Sequence, residues 1–184
     1  MNSDDDPHRP TPLGTTIMVL RGLPGSGKST VAAHLAATTP RTVVVCRDTI
    51  RLLYFHRDGM LDIEDENTVT ELETRQALDH LAAGFNVVID STNLPPAYVH
   101  RWQQLAATLA IACVLVDVHA PLETCLARVA GRQQTGGRGV PAQVIRDLHR
   151  RHPPETWCPP ADHSVGERPM PAPEHPKRRR KNRR

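Results

Sequence analysis

An α/β architecture, a parallel sheet with helices on both faces, is what this sequence predicts, and three observations lead there. Short Val- and Ile-rich runs at 16–20, 42–46, 86–89 and 111–118 do not alternate polar with apolar, the pattern of strands buried on both faces of a parallel sheet. Helix-spaced segments separate them, and a β-α-β-α order selects parallel strands joined by crossover helices. The first run leads directly into Gly22-Leu-Pro-Gly-Ser-Gly-Lys28-Ser29-Thr30. That stretch reads G-x-x-x-x-G-K-[ST] between a strand and a helix, the setting a phosphate-binding loop requires.

The helices follow in order. Residues 29–38 leave the loop as an Ala-rich helix, and 66–83 form a longer one with Leu72, Leu78 and Leu81 as core positions and Gly84 as its C-terminal cap. Tyr98, Trp102, Leu105 and Leu109 fall on one helical stripe, as do Leu122, Cys125, Leu126 and Val129. Val144, Ile145 and Leu148 mark a last short helix opened by Pro141. This places a single domain over residues 15–152, after an acidic N-terminal tail at 1–14 expected to be disordered. From Pro153 to Pro176 the chain holds eight prolines, too many for a helix or a central strand. Residues 153–184 therefore read as an extended, disordered Pro-rich linker ending in a basic tail.

Composition narrows the possibilities. At 184 residues with 39% hydrophobic content, one globular domain with tails is expected. No apolar run approaches the roughly 18 residues of a membrane span, and the acidic Met1-Asn-Ser-Asp-Asp-Asp6 lacks a signal-peptide core. Cys46, Cys113, Cys125 and Cys158 are scattered and form no C-x-x-C pair, so they read as reduced thiols of a cytoplasmic protein. The ten histidines show no ligand spacing. Residues 15–152 carry 14 basic and 13 acidic side chains, whereas Lys177-Arg-Arg-Arg-Lys-Asn-Arg-Arg184 carries seven cations and no acid. Such a block points to nucleic acid or another polyanion as partner.

In the loop, Gly25, Ser26 and Gly27 let backbone N–H groups face inward, forming an anion nest at a helix N-terminus together with Thr30. Lys28 then reaches the β- and γ-phosphates of ATP, GTP or another NTP, and the Ser29 hydroxyl ligates Mg²⁺. Lys28 is the only lysine before residue 177 in a chain that otherwise uses arginine. A lysine's point charge suits phosphates where arginine's planar fork does not.

Ligands of doubly wound sheets sit beyond the carboxyl ends of the strands, which singles out two further segments. Asp48 and Arg51, in Arg47-Asp48-Thr-Ile-Arg51, would share a helix face. One reading is a helix cap with an i, i+3 ion pair worth about 1 kcal/mol or less. The other, favoured beside a phosphate loop, is a general base next to an anion-binding arginine. Asp90 ends an apolar strand and could order the Mg²⁺ shell opposite Ser29, with Ser91, Thr92 and Asn93 as hydrogen-bond donors at the same rim. Finally, Gly131-Arg-Gln-Gln-Thr-Gly-Gly-Arg-Gly139 reads as a glycine-rich loop between helices. Arg128, Arg132 and Arg138 on or beside it suit a lid that closes on a triphosphate.

Across residues 16–151 these segments resemble the 5′-kinase domain of bacteriophage-type polynucleotide kinase, a P-loop phosphotransferase. The resemblance rests on Gly22–Thr30, Arg47-Asp48-Thr-Ile-Arg51, Ser91-Thr-Asn-Leu94, Arg128-Val-Ala-Gly-Arg132 and Val140-Pro-Ala-Gln-Val-Ile-Arg146. It implies that Asp48 is the general base toward a 5′-hydroxyl, that Arg51 holds the phosphate on the 3′ side of the acceptor nucleotide, and that Arg128 and Arg132 are lid arginines on the NTP. The phage pattern has Asp directly before Thr-Asn; here Ser91 stands there, with Asp90 one place earlier. No Asp-x-Asp-x-Thr phosphatase motif is present, so a 3′-phosphatase activity is not expected.

The leading expectation is thus an NTP-dependent kinase of 5′-hydroxyl RNA or DNA ends. A small-molecule or tRNA-linked P-loop kinase would keep Asp48 as base but use Arg51 differently. A nucleotide-sensing module needs no base at all, which counts against it. Only 3% of residues are aromatic, which argues against extensive base stacking and sequence-specific recognition.

Overall fold

The computed structural model describes residues 14–57, 61–136 and 139–166. The strands are β1 (Thr16–Arg21), β2 (Thr42–Cys46), β3 (Asn86–Asp90), β4 (Ala112–Val118) and β5 (His163–Val165). The helices are α1 (Lys28–Thr38), α2 (Arg47–Phe55), α3 (Ile63–Ala82), α4 (Pro96–Thr108), α5 (Leu122–Gln134) and α6 (Ala142–Arg151). All strand pairs are parallel and the sheet order is β2-β3-β1-β4-β5, the wound α/β sheet the sequence predicts.

Strand alternation sorts the core into two layers. On β1, Ile17 and Val19 join Val69, Leu81, Val99 and Trp102 under α3 and α4. Met18 and Leu20 point the other way and join Ala32, Val116 and Val118 against α1. A third cluster, with Leu23, Leu94, Cys125, Val129 and Ile145, packs α5 and α6 over the carboxyl end of the sheet. Among the described residues no helix is long and apolar enough to cross a membrane.

Two helical stripes are corrected. α3 starts at Ile63, three residues before the expected start, because Asp62 caps it by accepting from the Asp65 N–H at 2.9 Å. Its buried stripe is Val69, Glu73, Ala77 and Leu81, with Leu72 and Leu78 only half-buried. On α4 the buried stripe is Val99, Trp102 and Ala106, and Tyr98 faces out. A 3.6-residue period leaves a one-residue ambiguity that only the neighbours resolve. Gly84 does close α3, at φ +80°, and its N–H donates to the Leu81 carbonyl at 2.9 Å.

The larger correction is at residue 153, where the extended linker was expected to begin. Residues 154–156 instead form a 3-10 turn, and 163–165 add β5 to the sheet edge beside β4. β5 itself, His-Ser-Val, holds no proline, and tertiary contacts supply what local propensity does not. The Asp162 carboxylate accepts from the Leu115 N–H at 2.7 Å, and the Trp157 indole donates to the His152 carbonyl at 2.9 Å. Trp157 stacks on His119 with ring centroids 4.9 Å apart. The expected N-terminal tail and the basic run 177–184 lie outside the described residues.

Beneath this segment, Arg21 is fully buried. Its cross-strand partner Asp117 accepts from Nε at 2.6 Å and Nη2 at 3.0 Å, while Nη2 also reaches the Pro159 carbonyl at 2.9 Å. The guanidinium lies 5.3 Å from the Trp157 ring centroid. Removing one member of such a pair strands the other charge in the interior, at a cost of about 3–5 kcal/mol. Asp117→Ala is therefore expected to lower the unfolding free energy by about that much, read from the urea midpoint at unchanged m value. A loss below about 1 kcal/mol would mean that Arg21 is not held as a buried charge.

Candidate active site

The carboxyl edge of the sheet opens into a cleft of about 640 Å³, within the usual range for small-molecule sites. One wall is the phosphate loop. Gly25 takes φ +85° and Gly27, the residue capping α1, takes φ +108°, a region L side chains avoid. A Cβ on Gly25 would also run into the Cys125 carbonyl of α5. The loop is held from behind: the Gly22 N–H donates to the Thr92 carbonyl at 3.0 Å, and the Ser26 N–H to that of Leu23 at 3.1 Å.

Lys28, at the start of α1, is buried and donates from Nζ to the Leu23 carbonyl at 2.9 Å. Burial lowers its pKa from the ordinary lysine value and Arg132 adds to the lowering, while the charges of Asp90 and Asp48 oppose it. The Ser26 hydroxyl is buried and, among the described residues, has no hydrogen-bond partner, which leaves it for a ligand oxygen. Ser29, Thr30 and Asp90 line the same cleft. Asp90 ends β3 directly beside Leu20 of β1 and Cys46 of β2. The Ser29 hydroxyl and the Asp90 carboxylate are the hard oxygen donors that magnesium takes.

Two of the expected rim donors turn inward. Ser91 donates to Glu73 Oε1 at 2.6 Å, and Asn93, 2% exposed at φ +46°, donates to the Leu20 carbonyl at 2.8 Å. Ser91 ties the end of β3 to α3 and Asn93 ties it to β1, and both residues line the cleft. Thr92 is half-buried, with its carbonyl on Gly22.

The opposite wall is α2. Asp48 lies inside the first turn rather than capping it. Its carboxylate is well exposed and accepts from Arg51 Nη1 at 2.7 Å. The other edge of Arg51 forms a fork with Glu66 of α3, Nε to Oε1 and Nη2 to Oε2, both at 2.9 Å. Partial burial works against the charge on Arg51, yet the hydrogen bonds and charge of Glu66, with Asp48, hold its pKa above the ordinary arginine value. Glu66 is the reverse case: burial alone would raise it, and the hydrogen bonds from Arg51 and Arg47 hold it low.

The pairing continues deeper. Arg47 bridges Glu66 at 2.8 Å and Glu73 at 3.1 Å, and Glu73, 1% exposed, also pairs with Arg101 of α4 at 2.7 Å. Sequence reasoning missed Glu66, Glu73 and Arg101. Glu66 and Glu73 are seven residues apart, hence on one face of α3, and that spacing was the available signal.

Arg128 and Arg132 both line the cleft, but not from a glycine-rich loop. α5 runs through Gly131 to Gln134, so the two arginines stand on successive turns of one helix. Gly131 is exposed there, and a Cβ added to it would meet nothing within 4 Å outside its own helix backbone; a helical glycine costs only about 0.5–1 kcal/mol relative to alanine. Arg128 Nη1 donates to the Gly25 and Ser26 carbonyls at 3.3 and 3.2 Å. Arg138 lies outside the described residues.

A family model described as an AAA domain matches residues 17–154. The chain is 30% identical over 129 residues to a protein of Autographa californica nuclear polyhedrosis virus provisionally named a bifunctional polynucleotide kinase/RNA ligase, a match covering 64% of this chain and 18% of that protein. A chain in the solved Pnkp1/Rnl/Hen1 RNA repair complex aligns with a TM-score of 0.62 at 27% identity, over 74% of this chain and 43% of that one. The chain thus spans less than half the length of either relative. Mycobacterium tuberculosis APS kinase CysC, solved with AMPPNP and APS, shares the fold at 18% identity, with a TM-score of 0.52 over 74% of this chain and 98% of that one. The wound sheet and its loop are those of a nucleotide-binding P-loop kinase fold.

The lowered pKa of Lys28 has a readable consequence. If the charged form of Lys28 holds a triphosphate, affinity is expected to fall as pH rises through the free protein's Lys28 pKa, which lies below 10.5. NTP affinity measured against pH should show that alkaline decline, and Lys28→Arg, whose guanidinium stays charged, should remove it. An affinity flat to pH 10.5 in the unaltered protein would contradict a depressed Lys28.

Proposed function

The chain belongs to the AAA-domain family, and from that premise we propose that it is an NTP-dependent polynucleotide 5′-hydroxyl kinase acting on RNA or DNA ends. The observation that carries this reading is the pairing of Asp48 with Arg51 at 2.7 Å on the wall facing the phosphate loop, in one cleft with Lys28. A nucleotide sensor needs no carboxylate there. The relatives named for polynucleotide kinase and RNA repair support the choice of acceptor.

In this reading the acceptor's 5′-oxygen approaches the γ-phosphorus of the NTP, and Asp48 takes its proton. The bond from the new oxygen to phosphorus forms as the bond to the β–γ bridging oxygen breaks, so the NDP leaves with the electron pair. Most of the barrier is lowered by positioning and charge, as is general for phosphoryl transfer. Lys28 and the backbone N–H groups of Gly25, Gly27, Lys28 and Ser29 hold the β- and γ-phosphates, with Arg128 and Arg132 above them. Arg51, fixed on one edge by Glu66, presents its remaining N–H groups to the acceptor's 3′-side phosphate. The Ser29 hydroxyl and Asp90 carboxylate would hold Mg²⁺ together with the NTP oxygens, and the cation would neutralise charge on the transferring phosphate.

Asp48→Asn is expected to lower kcat by about 10²–10⁴-fold, the usual contribution of a general base, with NTP affinity nearly unchanged. A turnover within a few-fold of the unaltered protein would remove Asp48 from the chemistry. Arg51→Ala should mainly raise the KM of acceptors that carry a 3′-side phosphate, relative to a nucleoside. If γ-labelled NTP marks small alcohols but no 5′-hydroxyl strand or nucleotide, the acceptor class proposed here is wrong.

A further inference from the structure

Tyr98 is the only aromatic side chain among the described residues that line the cleft, in a chain of only 3% aromatic residues. It sits in the first turn of α4, 51% exposed, while its neighbours Val99 and Trp102 are wholly buried. Among the described residues its ring meets no other ring or guanidinium and its hydroxyl has no hydrogen-bond partner. Apolar ring surface left open to water inside a polar cleft favours a flat ligand that covers it.

The ring belongs to the acceptor's side of the cleft. Arg101, three residues on and therefore on the same face of α4, is fixed by Glu73 at 2.7 Å and by its own stacking 4.5 Å from the Trp102 ring centroid. Glu73 also holds Arg47, the residue before Asp48, at 3.1 Å. One chain of ion pairs thus runs from Asp48 through Arg51, Glu66, Arg47 and Glu73 to the residue beside Tyr98. Lys28 and Arg128 stand on the other wall.

We propose that Tyr98 is a stacking platform for a nucleobase of the acceptor strand, with Arg101 at its edge facing the strand's backbone, and that the cleft therefore selects an unpaired 5′ end over a paired one. This rests on the polynucleotide-kinase reading above. Aromatic stacking tolerates every base, so the preference is for single-strandedness rather than sequence.

The test is acceptor kinetics at saturating NTP with a 5′-hydroxyl decamer, the same strand made abasic at its first, second or third position, and a blunt duplex. Tyr98→Ala should raise the decamer KM by about 5- to 150-fold, the equivalent of a stack worth about 1–3 kcal/mol, with the loss in KM rather than kcat. Tyr98→Trp should restore the KM. One abasic position should raise the unaltered protein's KM by a similar factor, and Tyr98→Ala should then add nothing. The preference for single strand over duplex should shrink in Tyr98→Ala. An unchanged decamer KM, or equal losses on intact and abasic strands, overturns the platform while leaving the kinase reading in place. Failure of the unaltered protein to label any 5′-hydroxyl strand overturns both.

Discussion

Because β1 pairs in parallel with β3 on one side and β4 on the other, the chain turns after Arg21 at the only edge where every strand ends. Backbone geometry, more than any single side chain, assembles this site. The phosphate loop follows β1, Asp48 follows β2, Asp90 ends β3, and α5 starts just past β4. None of these segments needs to find the others; register brings them together. The Gly22 N–H on the Thr92 carbonyl and the Asn93 amide on the Leu20 carbonyl then lock β3's exit to β1's exit, which sets the distance between Asp90 and the loop.

The two walls handle charge differently. On the acceptor side the cations are interleaved with carboxylates: Arg51 and Arg47 share Glu66, and Arg47 and Arg101 share Glu73. Both terminal nitrogens of Arg47 and all three guanidinium nitrogens of Arg51 are bonded to protein groups, so little side-chain freedom remains to be lost on binding a ligand. Burial of Glu73 makes this costly to disturb, because an unpaired carboxylate there has no water to turn to. In the phosphate loop Lys28 is buried and bonded to the Leu23 carbonyl, and its charge is opposed by desolvation. The charges of Asp90 and Asp48 favour the Lys28 cation without overcoming that desolvation, and in the proposed reading a bound triphosphate would add the anion that does.

What was legible in the sequence follows the same division. The loop, the apolar strands and the Asp48–Arg51 spacing could be read because each is a local pattern with a local cause. Three things could not. β5 is three residues long, polar and set among prolines; it is a strand only because β4 offers it an edge and Trp157 and Asp162 tie it down. Glu66 and Glu73 look like the solvated face of a long helix until Arg47 and Arg101 are placed opposite them. Tyr98 and Val99 compete for one stripe of α4, and the choice was made by the β1 and β4 side chains beneath. In each case the missing information was the identity of a partner distant in sequence.

The contact between α5 and the phosphate loop constrains how Arg128 and Arg132 can move. The Cys125 carbonyl fills the space where a Gly25 side chain would be, and Arg128 is bonded to the carbonyls of Gly25 and Ser26. Cys125 and Val129 are themselves packed against Leu23 and Ile145. Swinging α5 as a rigid body would break these contacts together and open voids in a close-packed cluster, so its first two turns move with the loop. Arg132 lies beyond that anchored part, one residue after Gly131, where the helix carries no side chain and leaves open space for one. Freedom to approach a bound triphosphate is therefore confined to the last turn of α5 and to the reach of the arginine itself. Arg128 is tied to the loop's own backbone, whereas Arg132 lines the cleft from beyond that anchored part.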